Sequence, residues 1–210
     1  GLEYDTIKRI LSDFNIPFYM SKKESLGVHP LAIYLISVIQ CVRKGMKRED
    51  VIALSKNPAI FASKRERDAF CRYVYENLVD YKGFLNVFER ESAYKEKAEK
   101  LRQKIVKLFL QVGNIKSTVS VSDFITACKT VIENAYMAPL VDDEKNNVAI
   151  ETLEFDKAKE FIIKALDFIN DIYGNSIMSS DFLVDSLRDL LSSTEFSMVQ
   201  KTSKVIKIGT

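Results

Sequence analysis

The sequence predicts a mostly α-helical fold with a short strand near each end, and three observations carry the prediction. Apolar residues recur at spacings of three and four through most segments between Tyr4 and Leu191. Seven Gly and four Pro in 210 residues are few, which favours long helices over a turn-rich sandwich. The tail Lys204-Val205-Ile206-Lys207-Ile208-Gly209-Thr210 has the β-branched character of a strand followed by a turn, and its counterpart is Ile16-Pro17-Phe18-Tyr19-Met20. Two lone strands do not make a stable sheet. Both therefore read as pieces of a larger parent's sheet, with residues 1–29 and 200–210 as edge segments and residues 30–199 as a helical insertion.

Each element has its own justification. Tyr4 to Phe14 spaces Ile7, Ile10, Leu11 and Phe14 as one helical face, ending at the break Asn15-Ile16-Pro17. Ser21 to Val28 reads as a polar loop after the first strand. Pro30 suits the first position of a helix capped by His29 or the residue before it. From Leu31 to Val42 nearly every residue is apolar, so that helix should be buried on most sides. The basic turn RKGMKR at residues 43–48 leads to a helix opened by Glu49 and Asp50 and closed by Asn57-Pro58. Ser63 to Leu78 is the next helix, with Phe70, Val74 and Leu78 as its apolar face. An aromatic connector (Tyr81, Phe84, Phe88) precedes a long charged helix from Glu91 to Val112, whose stripe is Ala98, Leu101, Ile105, Leu108 and Phe109.

Ser120 or Ser122 can cap a helix bearing Phe124, Ile125, Cys128, Val131 and Ile132. Residues 141–147 (VDDEKNN) form the clearest polar loop of the second half, the place best suited to insertion or movement. A helix from about Leu153 to Tyr173 follows, with Gly174 as its stop. The last helix is capped by Ser179 or Ser180 and carries Leu183, Leu187, Leu190 and Leu191.

Thirty-one basic and twenty-nine acidic residues leave a charge of +2, so any contact with nucleic acid must come from a local patch. Cys41, Cys71 and Cys128 are odd in number and far apart, matching neither a disulfide framework nor a metal-ligand spacing; they read as buried free thiols of a reducing cytoplasm. No apolar run approaches the roughly 18 residues of a membrane span. No glycine-rich loop is present to cradle a phosphate, and the lone histidine, His29, reads as a cap or packed side chain. The pairs Asp142-Asp143 and Asp167 with Asp171 read as solvated surface rather than metal ligands or an acid-base pair. No catalytic, cofactor-binding or metal-ligating residue is expected in this chain.

The basic residues fall into clusters: Lys22 and Lys23; Arg43, Lys44, Lys47 and Arg48; Lys64, Arg65 and Arg67; and the stripe Lys97, Lys100, Lys104 and Lys107. Such a surface can track a phosphate backbone regardless of base sequence. The plainer alternative is a solvated face offset by Glu49, Asp50, Asp68, Glu91, Glu96 and Glu99. Aromatic residues interleaved with these charges, as a single-strand stacking platform needs, are not evident, since most Phe fall on core stripes.

Several segments taken in order resemble a known family. Asn15-Ile16-Pro17-Phe18-Tyr19, the stretch Leu26-Gly27-Val28-His29-Pro30-Leu31, the apolar helix, and Arg48-Glu49-Asp50-Val51-Ile52-Ala53-Leu54 follow one another as in the AddB or RexB subunit of bacterial ATP-dependent helicase-nucleases. Superfamily 1 helicases of the UvrD and RecB kind share the general plan. Ala158 to Gly174 with Ser179-Ser180-Asp181-Phe182 and Leu187 resembles the family's late helix pair, and the tail resembles its return strand. The resemblance implies a helical accessory domain, commonly called 2B, inserted in the 2A sheet. By the same resemblance, the parent processes broken DNA ends in recombinational repair with an AddA/RexA-type partner subunit. The resemblance also implies that ATP, Mg and any iron-sulfur cluster belong to sites of the parent outside residues 1–210. Two readings stay open: contact with double-stranded DNA or the partner subunit, and a helical protein-interaction scaffold without nucleic acid. Residues 56–66 (KNPAIFASKRE) depart from the family's pattern, leaving AddB-like and UvrD-like parents both open.

Overall fold

The apolar run after Pro30 becomes the central helix. The computed structural model describes residues 6, 9–10, 13–14, 18–19, 22–113, 115–136, 145–198 and 206–207; of these, 18–19, 22–23, 145–153, 197–198 and 206–207 are described through their backbone. The helices are α1 (Pro30–Lys44), α2 (Arg48–Ser55), α3 (Lys64–Glu76), α4 (Lys95–Val112), α5 (Val121–Glu133), α6 (Lys145–Tyr173) and α7 (Ser180–Ser193). α1 packs against α2 and every helix from α4 to α7, so Leu31, Leu35, Val38 and Ile39 are fully buried while Ile33 turns outward. His29 caps it, Nδ1 accepting the Leu31 N–H at 3.2 Å, and burial against the Phe196 ring lowers the imidazole pKa. Gly45 ends it at φ 80°, a left-handed conformation that a side chain would strain.

α3 and α4 form an antiparallel hairpin. Ser63 and Glu66 make a capping box at the start of α3: the Ser63 hydroxyl accepts the Glu66 N–H at 3.2 Å and the Glu66 carboxylate accepts the Ser63 N–H at 2.7 Å. Lys104 of α4 meets Glu66 there, while at the other end Ser92 donates to Glu76. The aromatic connector fills the space beneath, with Tyr73 stacked on Phe88 at 4.3 Å between centroids and Phe70 on Phe84 at 6.2 Å. Arg102 holds this connector to α4. It donates to both Glu99 oxygens at 2.5 and 2.7 Å and to the Phe84 and Leu85 carbonyls at 3.1 and 3.3 Å. Burial would raise the Glu99 pKa, but the bonds from Arg102, the Phe88 N–H and Gln103 outweigh it and hold the carboxyl below its usual range.

Among the described residues the strands form three pairs. β1 (Phe18–Tyr19) lies parallel to β6 (Ile206–Lys207), with Phe18 opposite Ile206. β2 (Lys22–Ser25) runs antiparallel to β5 (Glu195–Met198), and β3 (Thr118–Ser120) antiparallel to β4 (Ile177–Ser179). Behind β2, a 3-10 turn at Leu26–Val28 lies against the end of α7, where the Leu26 N–H bonds the Thr194 carbonyl at 2.8 Å. Gly27 makes the approach close enough that a Cβ would stand 2.8 Å from Ser192 Oγ.

The fold is mostly α, as expected, with several corrections to its details. The stretch read as a polar loop at residues 21–28 supplies β2 and the 3-10 turn, because backbone pairing with β5 needs no apolar alternation. β3, β4 and β5 lie within segments read as helical or connecting. α4 begins at Lys95 rather than Glu91, since Ser92 Oγ accepts the Tyr94 N–H in a turn before the helix. α6 begins at Lys145, taking in the last part of the expected polar loop, whose residues 141–144 lie outside the described residues. Most of the expected helix at Tyr4–Phe14 also lies outside them.

Candidate nucleic-acid interface

Helix geometry sorts the candidate cations into two groups at opposite ends of α3, whose thirteen residues span roughly 20 Å. At one end lie Arg43, Lys44, Lys47 and Arg48, next to the connector. Arg43 donates to Asp181 at 2.5 Å, tying α1 to α7, and Arg48 Nε donates to the Val79 carbonyl at 2.9 Å. These two arginines are structural braces. Lys44 and Lys47 stay exposed, with no ion pair among the described residues.

At the other end the hairpin gathers Lys64 and Arg65, which open α3, with Lys100, Lys104 and Lys107 of α4. Lys100, Lys104 and Lys107 line one shallow depression with Glu66 and Gln103. Within this group the charges differ in what already holds them. Lys100 pairs with Glu96 at 2.9 Å. Lys104 donates to the Phe61 carbonyl at 2.9 Å and to Glu66 at 3.3 Å, and its ammonium lies 4.9 Å from the Phe61 ring centre. Arg67 donates to the Ile60 carbonyl at 3.0 Å. Lys64, Arg65 and Lys107 are exposed and make no ion pair among the described residues, leaving their charge available to an anion. Lys97 is likewise exposed but stands further toward the start of α4. Lys22 and Lys23 are placed in β2 by their backbone alone.

This end also carries aromatic rings that the periodicity of the helices conceals. Phe61 is 58% exposed, and its ring meets Tyr136 edge to face at 4.4 Å. The Tyr136 N–H donates to the Ala59 carbonyl at 2.9 Å, which fixes the segment after α5 beside the loop before α3. Aromatic residues interleaved with these charges are not evident in the sequence, and the fold brings one to them: Phe61 lies beneath the Lys104 ammonium. Both rings sit in connecting segments, so no heptad or strand pattern marks them, and the available signal was a Phe and a Tyr isolated from any apolar stripe.

Burial raises the Cys128 pKa and, aided by Asp50, pushes the Cys41 thiol up to about 12, so both are unreactive as folded. Among the described residues, no three His, Cys, Asp or Glu side chains gather to hold a metal ion, and no helix is long and apolar enough to cross a membrane.

Fold and surface together define a helical module with a basic, aromatic-edged end. No protein-family model matches the chain. Over 97% of its length it is 21% identical to the AddB subunit of the ATP-dependent helicase/deoxyribonuclease of Clostridium botulinum strain Langeland, and equally to that of Clostridium perfringens strain SM101. The corresponding protein of Staphylococcus aureus strain JH9 is 25% identical over 96% of the chain. All three carry the name of the family that the sequence resembles. The chain spans about a fifth of the length of these relatives, 19% to 20%.

Proposed function

We propose that this chain is the non-catalytic helical insertion of an AddB/RexB-type helicase-nuclease subunit, acting in double-strand-break repair and recombination, and that it contacts DNA phosphates without regard to base sequence. The observation that carries the contact is the gathering of Lys64, Arg65 and Lys107 at one end of the α3–α4 hairpin with their charges uncommitted. The β1–β6 pair supports the architectural part. Parallel neighbours require a crossover connection, and here the helical body from α1 to α7 is that crossover, as an insertion between strands of a larger sheet would be. The relatives' names supply the helicase and deoxyribonuclease context. On this reading ATP, Mg, any iron-sulfur cluster and the contacts of the AddA/RexA-type partner lie with the rest of the parent.

The test is the salt dependence of binding to a short duplex. Release of roughly three counterions gives a log-log slope near −3, and K64Q/R65Q/K107Q brings it close to zero. Undetectable binding at low salt removes the DNA contact and leaves a docking role. One observation favours that second reading: Phe161, Phe168 and Ile172 on α6, with Phe182 on α7, are exposed apolar side chains suited to a protein neighbour.

A further inference from the structure

Beside the Phe61–Tyr136 pair a cavity of about 200 Å³ opens between α1, α4 and the end of α5. Its apolar wall is Ile60, Ile105 and Leu108, with Phe61 at the exposed margin. Tyr34 of α1 also lines it. That side chain is 2% exposed, and its hydroxyl makes no hydrogen bond among the described residues while keeping a small contact with solvent. A hydroxyl in that state can donate to or accept from a group that enters the cavity. Asn134 adds a second polar group: its amide nitrogen donates to the Thr130 carbonyl at 2.8 Å, leaving the side-chain oxygen to accept.

The volume is below the roughly 300–1,000 Å³ of sites that enclose a whole drug-sized ligand. It suits a flat, partly polar ring whose remainder lies outside. Outside are Lys107, also part of the lining, and Lys64 and Arg65 a few residues beyond Phe61. A small cavity with polar groups free to bond, an exposed aromatic margin and free cations nearby are what an unpaired base on a phosphate backbone needs. In a duplex the base is stacked and paired, and cannot enter.

We propose that this cavity is a single-stranded DNA site that takes one unpaired base, with Phe61 as the stacking face, the Tyr34 hydroxyl and Asn134 oxygen as polar contacts, and Lys107, Lys64 and Arg65 on the flanking phosphates. The proposal deepens the phosphate-contact reading and rests on it. Lys104 has a positioning role. Its bonds to the Phe61 carbonyl and Glu66 fix the loop that carries the ring.

Fluorescence anisotropy separates the two claims with three probes of equal length: an oligothymidylate, the same backbone made abasic, and a duplex. The oligothymidylate should bind about ten-fold tighter than the abasic strand, the value of one stacked base. F61A should erase that difference and leave abasic binding unchanged. Y34F should cost a few-fold on the oligothymidylate alone. F61L, which keeps an apolar side chain of similar bulk and removes the aromatic face, should erase the difference as F61A does, with a thermal melt matching that of the unsubstituted protein. Equal binding of oligothymidylate and abasic strand, or undiminished oligothymidylate binding by F61A, overturns the base site while leaving the phosphate contact standing. No binding of any probe at low salt overturns both.

Discussion

Replacing Arg102 by Met should cost about 3 kcal/mol of stability, and replacing Glu99 as well should cost no more. Side-chain exposure is 7% for Arg102 and 16% for Glu99, so the pair is largely withdrawn from water. Removing Arg102 alone leaves the carboxylate with only the Phe88 N–H and Gln103 as donors, and strips the Phe84 and Leu85 carbonyls of theirs. Breaking a buried pair from one side costs ~3–5 kcal/mol, and the partial exposure of Glu99 places this case at the low end. E99M alone leaves a guanidinium held by two carbonyls, at a similar cost. In R102M/E99M the charges are gone together and two flexible apolar chains fill the space; what remains is a few unbonded backbone groups at ~1 kcal/mol each. The double variant should therefore lose about 3 kcal/mol against a sum of about 6 for the singles. Urea unfolding followed by circular dichroism measures all three. A double variant within ~0.5 kcal/mol of the summed singles would show that the two charges act independently and that the bridge does not hold the connector.

Glu66 and Glu99 both have lowered pKa values, so their contribution to stability is complete above the ordinary glutamate value of ~4.3 and is lost as pH falls through their folded values; urea midpoints should decline below that pH, and E99Q should flatten the decline. G27A should destabilise by about 1–3 kcal/mol, because its methyl meets Ser192 at the backbone as well as at the hydroxyl; an unchanged melting curve would mean that α7 yields there freely. Cys41 and Cys128 should resist a thiol reagent until the protein unfolds, with labelling rates that follow unfolding under denaturant, whereas rapid labelling of either in buffer contradicts their burial.

The helices were legible because their signals are local. Pro30 after His29, Ser63 three residues before Glu66, and the all-round apolar run of α1 each specify a start or a burial without knowledge of the rest. The strands resisted for the opposite reason. Lys22 to Ser25 becomes β2 only because Glu195 to Met198 arrives beside it from the far end of the chain, and nothing in KKES announces that partner. The basic clusters were visible as clusters, but their roles were not. Arg43 and Arg48 are consumed by Asp181 and the Val79 carbonyl, partners that sequence separation hides, while Lys64, Arg65 and Lys107 are left free. Phe61 and Tyr136 escape the pattern because they sit in connecting loops: Lys104 of α4 reaches over Phe61, and the Tyr136 N–H bond to the Ala59 carbonyl brings the second ring beside the first.

The parallel pairing of Phe18 with Ile206 makes those few backbone bonds a report on everything between them. Closing so long a loop adds only slowly to the entropic cost, since that cost grows with the logarithm of its length. The pairing is the most non-local of the strand pairs among the described residues, so it is stable only while the helices between the two strands hold them together. On the insertion reading proposed above, anything that loosens the helical body would also part the strand pair and open a gap in the surrounding sheet.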